Sequence, residues 1–165
     1  DQAVSRGLGD VYKRQLIRLS LSVKKSVVEY DEFELNHRKS MNYGHSIGHA
    51  IEAMVDFKIP HGQAVALGIM VENELARSIL DLSSDNISDI RDIIMNIVPK
   101  KSLDYFFTLK NSSFIEFLKR DKKVIGSNLK LAIISKIGDM RFIDFSLDEI
   151  SNKHINETIK NLSQM

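Results

Sequence analysis

Apolar residues recur at intervals of three and four along most of this chain, and this spacing constrains the fold more than any other feature. Side chains with this period lie on one face of an α-helix. The clearest case is a helix predicted from Ser83 to Val98, which should stop before Pro99 because proline disfavours helical geometry in the residue before it. Its predicted buried face consists of Ile87, Ile90, Ile93, Ile94 and Ile97. The pattern favours a mainly α-helical protein.

The remaining elements are predicted from the same spacing and from capping residues. Further helices are expected at residues 16–30, 38–55, 61–80 and 111–120. A capping box at Ser146 to Glu149 should open a last helix that runs to about Leu162. Two β-rich runs, at residues 129–134 and 140–145, flank a turn that contains Gly138. They predict one small β-hairpin beside the helices, within a single domain.

Composition and charge exclude several classes of protein. The chain has 165 residues, a net charge of +1 and no cysteine. A charge this close to zero gives no reason to expect a nucleic acid or an anionic membrane as partner. No apolar run approaches the roughly 18 residues that span a bilayer. Without cysteine there are no disulfides and no thiolate ligands for zinc, so a metal would take histidine and carboxylate ligands. We expect a cytoplasmic protein.

The first 15 residues need a separate interpretation. Ser5 to Gln15 look like the in-frame translation of a transposase adapter used in shotgun sequencing, with eleven consecutive matching residues. Residues 1–15 are therefore interpreted as a non-native leader and left out of the fold prediction. The natural domain is expected over residues 16–165. Because no initiator methionine precedes Leu16, we expect the natural protein to extend further upstream.

Three of the five histidines, His45, His49 and His61, fall within 17 residues. His45 and His49 are four apart and share one helical face, with Glu52 seven residues beyond His45 on roughly the same face. Neutral imidazole is a good zinc ligand, and His61 at the next helix start could supply a third. The residues alone thus allow a three-histidine metal site. Polar residues on a helix surface or in a core remain the alternative.

Two further features favour a binding site over that alternative. Gly44, Gly48 and Gly62 each lie beside one of the histidines, and a glycine inside a helix costs about 1 kcal/mol relative to alanine, which indicates that something approaches the backbone closely. Arg38 and Asn42 precede His45 at spacings of four and three, which predicts a shared helical face able to hold phosphate or carboxylate.

Two ordered blocks surround the histidines. They read Arg38-x-x-x-Asn42-x-Gly44-His45-Ser46-x-Gly48-His49-Ala50-x-Glu52 and His61-Gly62-x-Ala64-Val65-Ala66-x-Gly68-Ile69-Met70. Lys24, Asp31-Glu32 and Glu34 precede them, and Asp121-Lys122-Lys123 and Ile137-Gly138 follow. Together these residues resemble the C-terminal domain of the 3-dehydroquinate synthase family, within the sugar-phosphate cyclases. The resemblance covers residues 16–165.

The resemblance implies a two-domain enzyme, expected to be a homodimer when full length. Its N-terminal domain would bind NAD on a Rossmann-like sheet, and its helical C-terminal domain would carry most contacts to Zn²⁺ (or Co²⁺) and substrate. The implied reaction converts 3-deoxy-D-arabino-heptulosonate 7-phosphate to 3-dehydroquinate with elimination of phosphate, a carbon–oxygen lyase step of the shikimate pathway and of aromatic amino acid biosynthesis. This chain alone is expected to be inactive.

Residue by residue, the resemblance implies that His45 and His61 are metal ligands, with a third ligand, a glutamate, upstream of Leu16. It makes His49 a proton-transfer residue instead of a ligand, and Glu34 a second one. The implied substrate-binding residues are Lys24, Arg38, Asn42 and one or both of Lys122 and Lys123. No family role is assigned to His37 or His154.

Several alternatives stay open. Each of these lysines and Glu34 could equally belong to a solvated surface. Asn36 stands in the segment where the family usually has a glycine, and Gln63 stands where the family has glutamate. These departures leave open another sugar-phosphate cyclase, of the 2-deoxy-scyllo-inosose or valiolone synthase type. A non-catalytic helical metal-binding module is the alternative from a different class.

Overall fold

The computed structural model describes residues 2–35, 37–80, 85–109, 114–119, 124–125, 128–136, 138–147 and 152–164. Its helices are α1 (Gln2–Tyr30), a 3-10 helix (His37–Asn42), α2 (His45–Met54), α3 (His61–Leu80), α4 (Asp85–Ile97), α5 (Lys100–Phe107), α6 (Phe114–Leu118) and α7 (Asn152–Ser163). Strands β1 (Val124–Ile125), β2 (Asn128–Lys136) and β3 (Asp139–Ser146) form one antiparallel sheet in that order. The predicted fold class, mainly α with a small hairpin, is confirmed.

The chain divides into two units, one that ends at Met41 and one that begins at Asn42. The first unit contains α1, which includes the helix predicted at residues 16–30 but starts at Gln2 and so continues through the predicted leader. The leader boundary stays a prediction. Among the described helices, none combines the length and the apolar character that crossing a membrane requires.

The core of the second unit is built on the contact between α2 and α3. At Gly68 the two backbones come so close that an added Cβ would lie 2.1 Å from the carbonyl oxygen of Gly44 and 2.7 Å from the amide nitrogen of Gly48. Apolar side chains of both helices are almost completely buried in this core, namely Ile47, Ile51, Leu67, Met70, Val71 and Leu75. Since His45 begins α2 and His61 begins α3, the packing of these helices also determines where the histidines lie.

The single helix predicted at residues 38–55 is wrong. The 3-10 helix ends at Asn42, and α2 begins only at His45. Between them Gly44 has a φ of 74°, a left-handed conformation that glycine adopts without strain and that interrupts an α-helix. Arg38, Asn42 and His45 therefore do not share one α-helical face, contrary to the prediction from their spacing.

Helix α3 has the predicted bounds, and α4 lies within its predicted range. The predicted apolar face of α4 is only partly right, because Ile93 and Ile97 are 60% and 67% exposed, whereas the other three isoleucines are buried or pack against the core. The buried residues continue from Ile94 to Val98, one helical turn later. The neighbouring elements therefore cover only part of the predicted isoleucine face. Pro99 ends α4 as predicted, but it also precedes α5, which was not predicted.

The predicted hairpin is confirmed by β2 and β3, which pair from Asn128 with Ser146 to Lys136 with Asp139. Strand β1 adds a short third strand that was not predicted. Helix α6 lies within the range predicted for the short helix, and α7 ends at Ser163, close to the predicted end. The predicted capping residues at 111–113 and 148–149 lie outside the described residues.

Candidate metal centre

Three imidazole rings come together where α2 and α3 begin. His45 is the first residue of α2, His49 lies one turn later, and His61 is the first residue of α3. The ring centroids are 5.9 Å apart for His45 and His49, 5.6 Å for His45 and His61, and 5.7 Å for His49 and His61. His45 is half-buried, while His49 and His61 are exposed, so the cluster is open to solvent on one side. The clustering predicted from the sequence spacing is present.

The ring of His45 is oriented by the turn that precedes α2. Its Nδ1 lies 3.1 Å from the backbone carbonyl oxygen of Tyr43. Because a carbonyl oxygen can only accept a hydrogen bond, Nδ1 carries the proton and donates it. In the neutral ring the lone pair is then on Nε2, the atom through which this ring could bind a metal.

The ring of His61 is oriented in the same way by Glu52 of α2. Its Nδ1 lies 3.1 Å from the carboxylate Oε2 of Glu52, which is 8% exposed. Metal-binding histidines commonly donate their second ring N–H to a carboxylate or a backbone carbonyl. The sequence pattern places Glu52 on the helical face of His45 but assigns it no role. Its spacing of seven from His45 was the signal that could have identified it.

Glu52 also offers a second way to assemble a metal site. Ligand atoms of His49, Glu52 and His61 all lie within 4.8 Å of one another. The described residues therefore contain two candidate donor sets, one with His45 and His61 and one with His49, Glu52 and His61. The first set consists of two imidazoles and the second of two imidazoles and a carboxylate, ligand types that suit Zn²⁺ or Co²⁺ in a chain without cysteine. The predicted assignment of ligands to His45 and His61 stays a prediction.

The turn at Tyr43 and Gly44 is held by two buried side chains of α3. The N–H of Gly44 donates to Glu72 Oε2 at 2.8 Å, and the phenol of Tyr43 donates to Asn73 Oδ1 at 2.7 Å. Burial raises the pKa of the Tyr43 phenol, and the nearby charge of Glu72 adds to this rise, while the hydrogen bond to Asn73 opposes it. Glu72 and Asn73 were not predicted, although three consecutive polar residues between Val71 and Leu75 interrupt an apolar helix.

The close approach to the backbone that was predicted at the three glycines beside the histidines is present at two of them. What approaches Gly44 and Gly48 is the backbone of α3, since an added Cβ would lie 2.5 Å from the Val65 carbonyl oxygen at Gly44 and 2.9 Å from Val65 Cα at Gly48. At Gly62 nothing lies within 4 Å of an added Cβ. The first two glycines therefore allow helix packing, and Gly62 shows no close approach.

The other predicted site residues are distributed over the chain. Lys24, Glu34 and Arg38 belong to the unit that ends at Met41, where Arg38 Nη1 donates to the carbonyl oxygen of Glu32 at 2.6 Å. Asn42 is half-buried at the end of the 3-10 helix. Their predicted roles stay predictions. Lys122 and Lys123 lie outside the described residues.

Two departures from the family pattern can be followed in the structure. Asn36 lies outside the described residues, but Glu34, two residues earlier, itself has a positive φ of 55°. Gln63 faces α5, where its Oε1 accepts a hydrogen bond from the hydroxyl of Ser102 at 2.6 Å. A neutral amide at this position therefore connects the start of α3 to α5.

Solved structures with this fold identify its class. A crystal structure of 2-deoxy-scyllo-inosose synthase, complexed with carbaglucose-6-phosphate, NAD⁺ and Co²⁺, matches 88% of this chain and 39% of its own with a TM-score of 0.70 and 24% sequence identity. A second structure of 2-deoxy-scyllo-inosose synthase matches with a TM-score of 0.66. The chain therefore shares the fold of the matched part of 2-deoxy-scyllo-inosose synthase.

Sequence comparison identifies the family. The family model described as "3-dehydroquinate synthase C-terminal" matches residues 3–124. The chain is 35% identical to the 3-dehydroquinate synthase of Corynebacterium jeikeium, over 75% of this chain and 33% of that protein, and 36% identical to the one of Dictyoglomus thermophilum, over 78% and 36%. The chain belongs to the 3-dehydroquinate synthase C-terminal family and spans about a third of these relatives.

Proposed function

We propose that this chain is the metal- and substrate-binding part of a 3-dehydroquinate synthase that converts 3-deoxy-D-arabino-heptulosonate 7-phosphate to 3-dehydroquinate and phosphate. Its family membership supports this function. The observation that carries the proposal is the histidine cluster, in which His45 and His61 each have Nδ1 hydrogen-bonded to an oxygen acceptor, so that a neutral ring has its lone pair on Nε2. The remaining two thirds of a relative's length would supply the NAD-binding domain and complete the site.

The residues present fit a divalent metal. His45 and His61 would hold Zn²⁺ or Co²⁺ through Nε2, with Glu52 hydrogen-bonded behind His61. A bound metal would polarise the substrate hydroxyl that NAD oxidises and lower its pKa. Neutral imidazole ligands leave the cation its full charge, which suits an anionic substrate.

The other residues would bind the substrate and move its protons. His49, whose ring stacks against His61 at an interplanar angle of 21°, would carry a proton between the substrate and its phosphate. Glu34 would be a second proton-transfer residue. Arg38, Lys24, Asn42 and the lysine pair 122–123 would hold the carboxylate, phosphate and hydroxyl groups of the substrate. We further propose a cytoplasmic homodimer for the whole protein.

The test is an assay of the full-length gene product that contains residues 16–165, with NAD, Zn²⁺ or Co²⁺, and three substrates in parallel: heptulosonate 7-phosphate, glucose 6-phosphate and sedoheptulose 7-phosphate. Release of phosphate from heptulosonate phosphate alone supports the proposal. Release from either of the other two only would assign the protein to another cyclase, the alternative that the departure at Gln63 leaves open. Metal binding without turnover of any of the three would make it a non-catalytic metal-binding module.

A further inference from the structure

Glu72 and Asn73 of α3 are among the most deeply buried polar residues described, with exposures of 0% and 1%. A buried carboxylate is unfavourable unless hydrogen bonds replace its lost hydration. Neither residue belongs to the candidate donor sets. Both bind the turn that leads into α2, Glu72 through the N–H of Gly44 and Asn73 through the phenol of Tyr43.

The peptide group between Tyr43 and Gly44 is bound on both sides. Its N–H donates to Glu72 Oε2 at 2.8 Å, and its carbonyl oxygen accepts from His45 Nδ1 at 3.1 Å. Because a peptide group is planar and rigid, the carboxylate that fixes the N–H also fixes the direction of the carbonyl oxygen. A negative charge on the N–H side also polarises the group, which strengthens the carbonyl as an acceptor.

We infer that Glu72, through the Tyr43–Gly44 peptide group, is a positioning residue that holds His45 in its Nδ1–H tautomer with Nε2 directed to the metal. Asn73 supports the same peptide by anchoring the phenol of Tyr43. The part of the inference that concerns the metal rests on the proposed function, whereas the tautomer of His45 does not. The arrangement is a carboxylate–peptide–histidine relay, in which the backbone takes the place of a direct carboxylate–histidine contact.

Three variants of the chain separate positioning from packing. Glu72→Met removes the acceptor at similar size, Glu72→Gln keeps an oxygen acceptor without the charge, and Val71→Ala removes buried apolar volume beside it without touching the relay. The first measurement is the ¹⁵N chemical shift pattern of the His45 ring in the metal-free chain. We expect one Nδ1–H tautomer in wild type, Glu72→Gln and Val71→Ala, and a mixture of tautomers in Glu72→Met.

The second measurement is the affinity for Co²⁺ by titration. Loss of an outer hydrogen-bond partner typically weakens metal binding about 10- to 100-fold, so Glu72→Met should bind Co²⁺ at least about tenfold more weakly, with Glu72→Gln within about threefold of wild type. Val71→Ala should unfold more easily but bind Co²⁺ like wild type. An unchanged His45 tautomer in Glu72→Met, or equal Co²⁺ affinities of Glu72→Met and Val71→Ala, would overturn the inference. If the full-length wild type, which contains the expected upstream glutamate ligand, does not bind Co²⁺, the proposed metal site fails, and the tautomer measurement still decides the role of Glu72.

Discussion

Replacing Gly68 by alanine tests the close packing of α2 and α3 on which the whole site depends. The added Cβ would lie 2.1 Å from the carbonyl oxygen of Gly44, more than 1 Å short of an ordinary contact, and 2.7 Å from the nitrogen of Gly48. Both atoms belong to the backbone, so no side chain can move away, and the helices must separate. Overpacking of this kind costs about 1–3 kcal/mol or more, while alanine gains about 1 kcal/mol of helix propensity over glycine. With the overpacking cost at the upper end of this range, about 3 kcal/mol, we expect a net loss of about 2 kcal/mol in the free energy of unfolding.

Gly62 provides a matched control in the same helix. It is exposed, and nothing lies within 4 Å of an added Cβ. Gly62→Ala should therefore leave the free energy of unfolding unchanged or raise it by up to about 1 kcal/mol. Urea unfolding followed by circular dichroism measures both variants, and a Co²⁺ titration should show weaker binding only in Gly68→Ala, since separation of the helices displaces His45 from His61. Equal stability of the two variants would refute the close approach of α2 and α3.

Three further predictions concern the site itself. In the full-length protein, His49→Ala should abolish turnover and leave the metal content near that of wild type; loss of metal would favour the donor set of His49, Glu52 and His61. Glu52→Ala should weaken Co²⁺ binding about 10- to 100-fold, or about 1.4 to 2.8 kcal/mol, and an unchanged titration would exclude a role behind His61. Tyr43 has a pKa raised above its usual 10.0, so it keeps its proton in the folded state when the unfolded chain loses it. Stability should therefore fall above pH 10, by up to about 1.4 kcal/mol per pH unit, and less steeply in Tyr43→Phe; urea unfolding at pH 9 to 11 compares the two, and equal slopes would contradict the assignment.

Much of the fold could be predicted because apolar spacing reports local structure directly. The bounds of α3 and the pairing of β2 with β3 were predicted from hydrophobic periods of about 3.6 and 2 residues. The break at Gly44 could not be predicted in this way, because apolar spacing does not report φ, and the residue takes its left-handed conformation where it packs closely against α3. Likewise, the exposure of Ile93 and Ile97 depends on how much of α4 the neighbouring helices cover.

The candidate site was predictable to a different degree. The spacing of His45, His49 and His61 was sufficient to predict that the three rings cluster, because two share a helix and the third begins the next one. The groups that orient the rings were not predicted. Glu52 is nine residues from His61, and the acceptor for His45 is a backbone carbonyl, which no side-chain pattern can reveal.

The orientation of the histidine rings gives a reason for the buried carboxylates of Glu52 and Glu72 close to a solvent-exposed histidine cluster. Each Nδ1–H is donated to an oxygen atom, so a neutral ring at His45 or His61 has its lone pair on Nε2. For His61 the acceptor is a carboxylate, whereas for His45 it is a weaker carbonyl, whose peptide group is bound on its other side by the buried carboxylate of Glu72. Each ring is thus held by a carboxylate. Glu52 holds His61 directly, and Glu72 holds His45 through the Tyr43–Gly44 peptide group. If a metal requires both Nε2 atoms, removal of either carboxylate should weaken its binding to a similar extent, even though only Glu52 contacts a histidine.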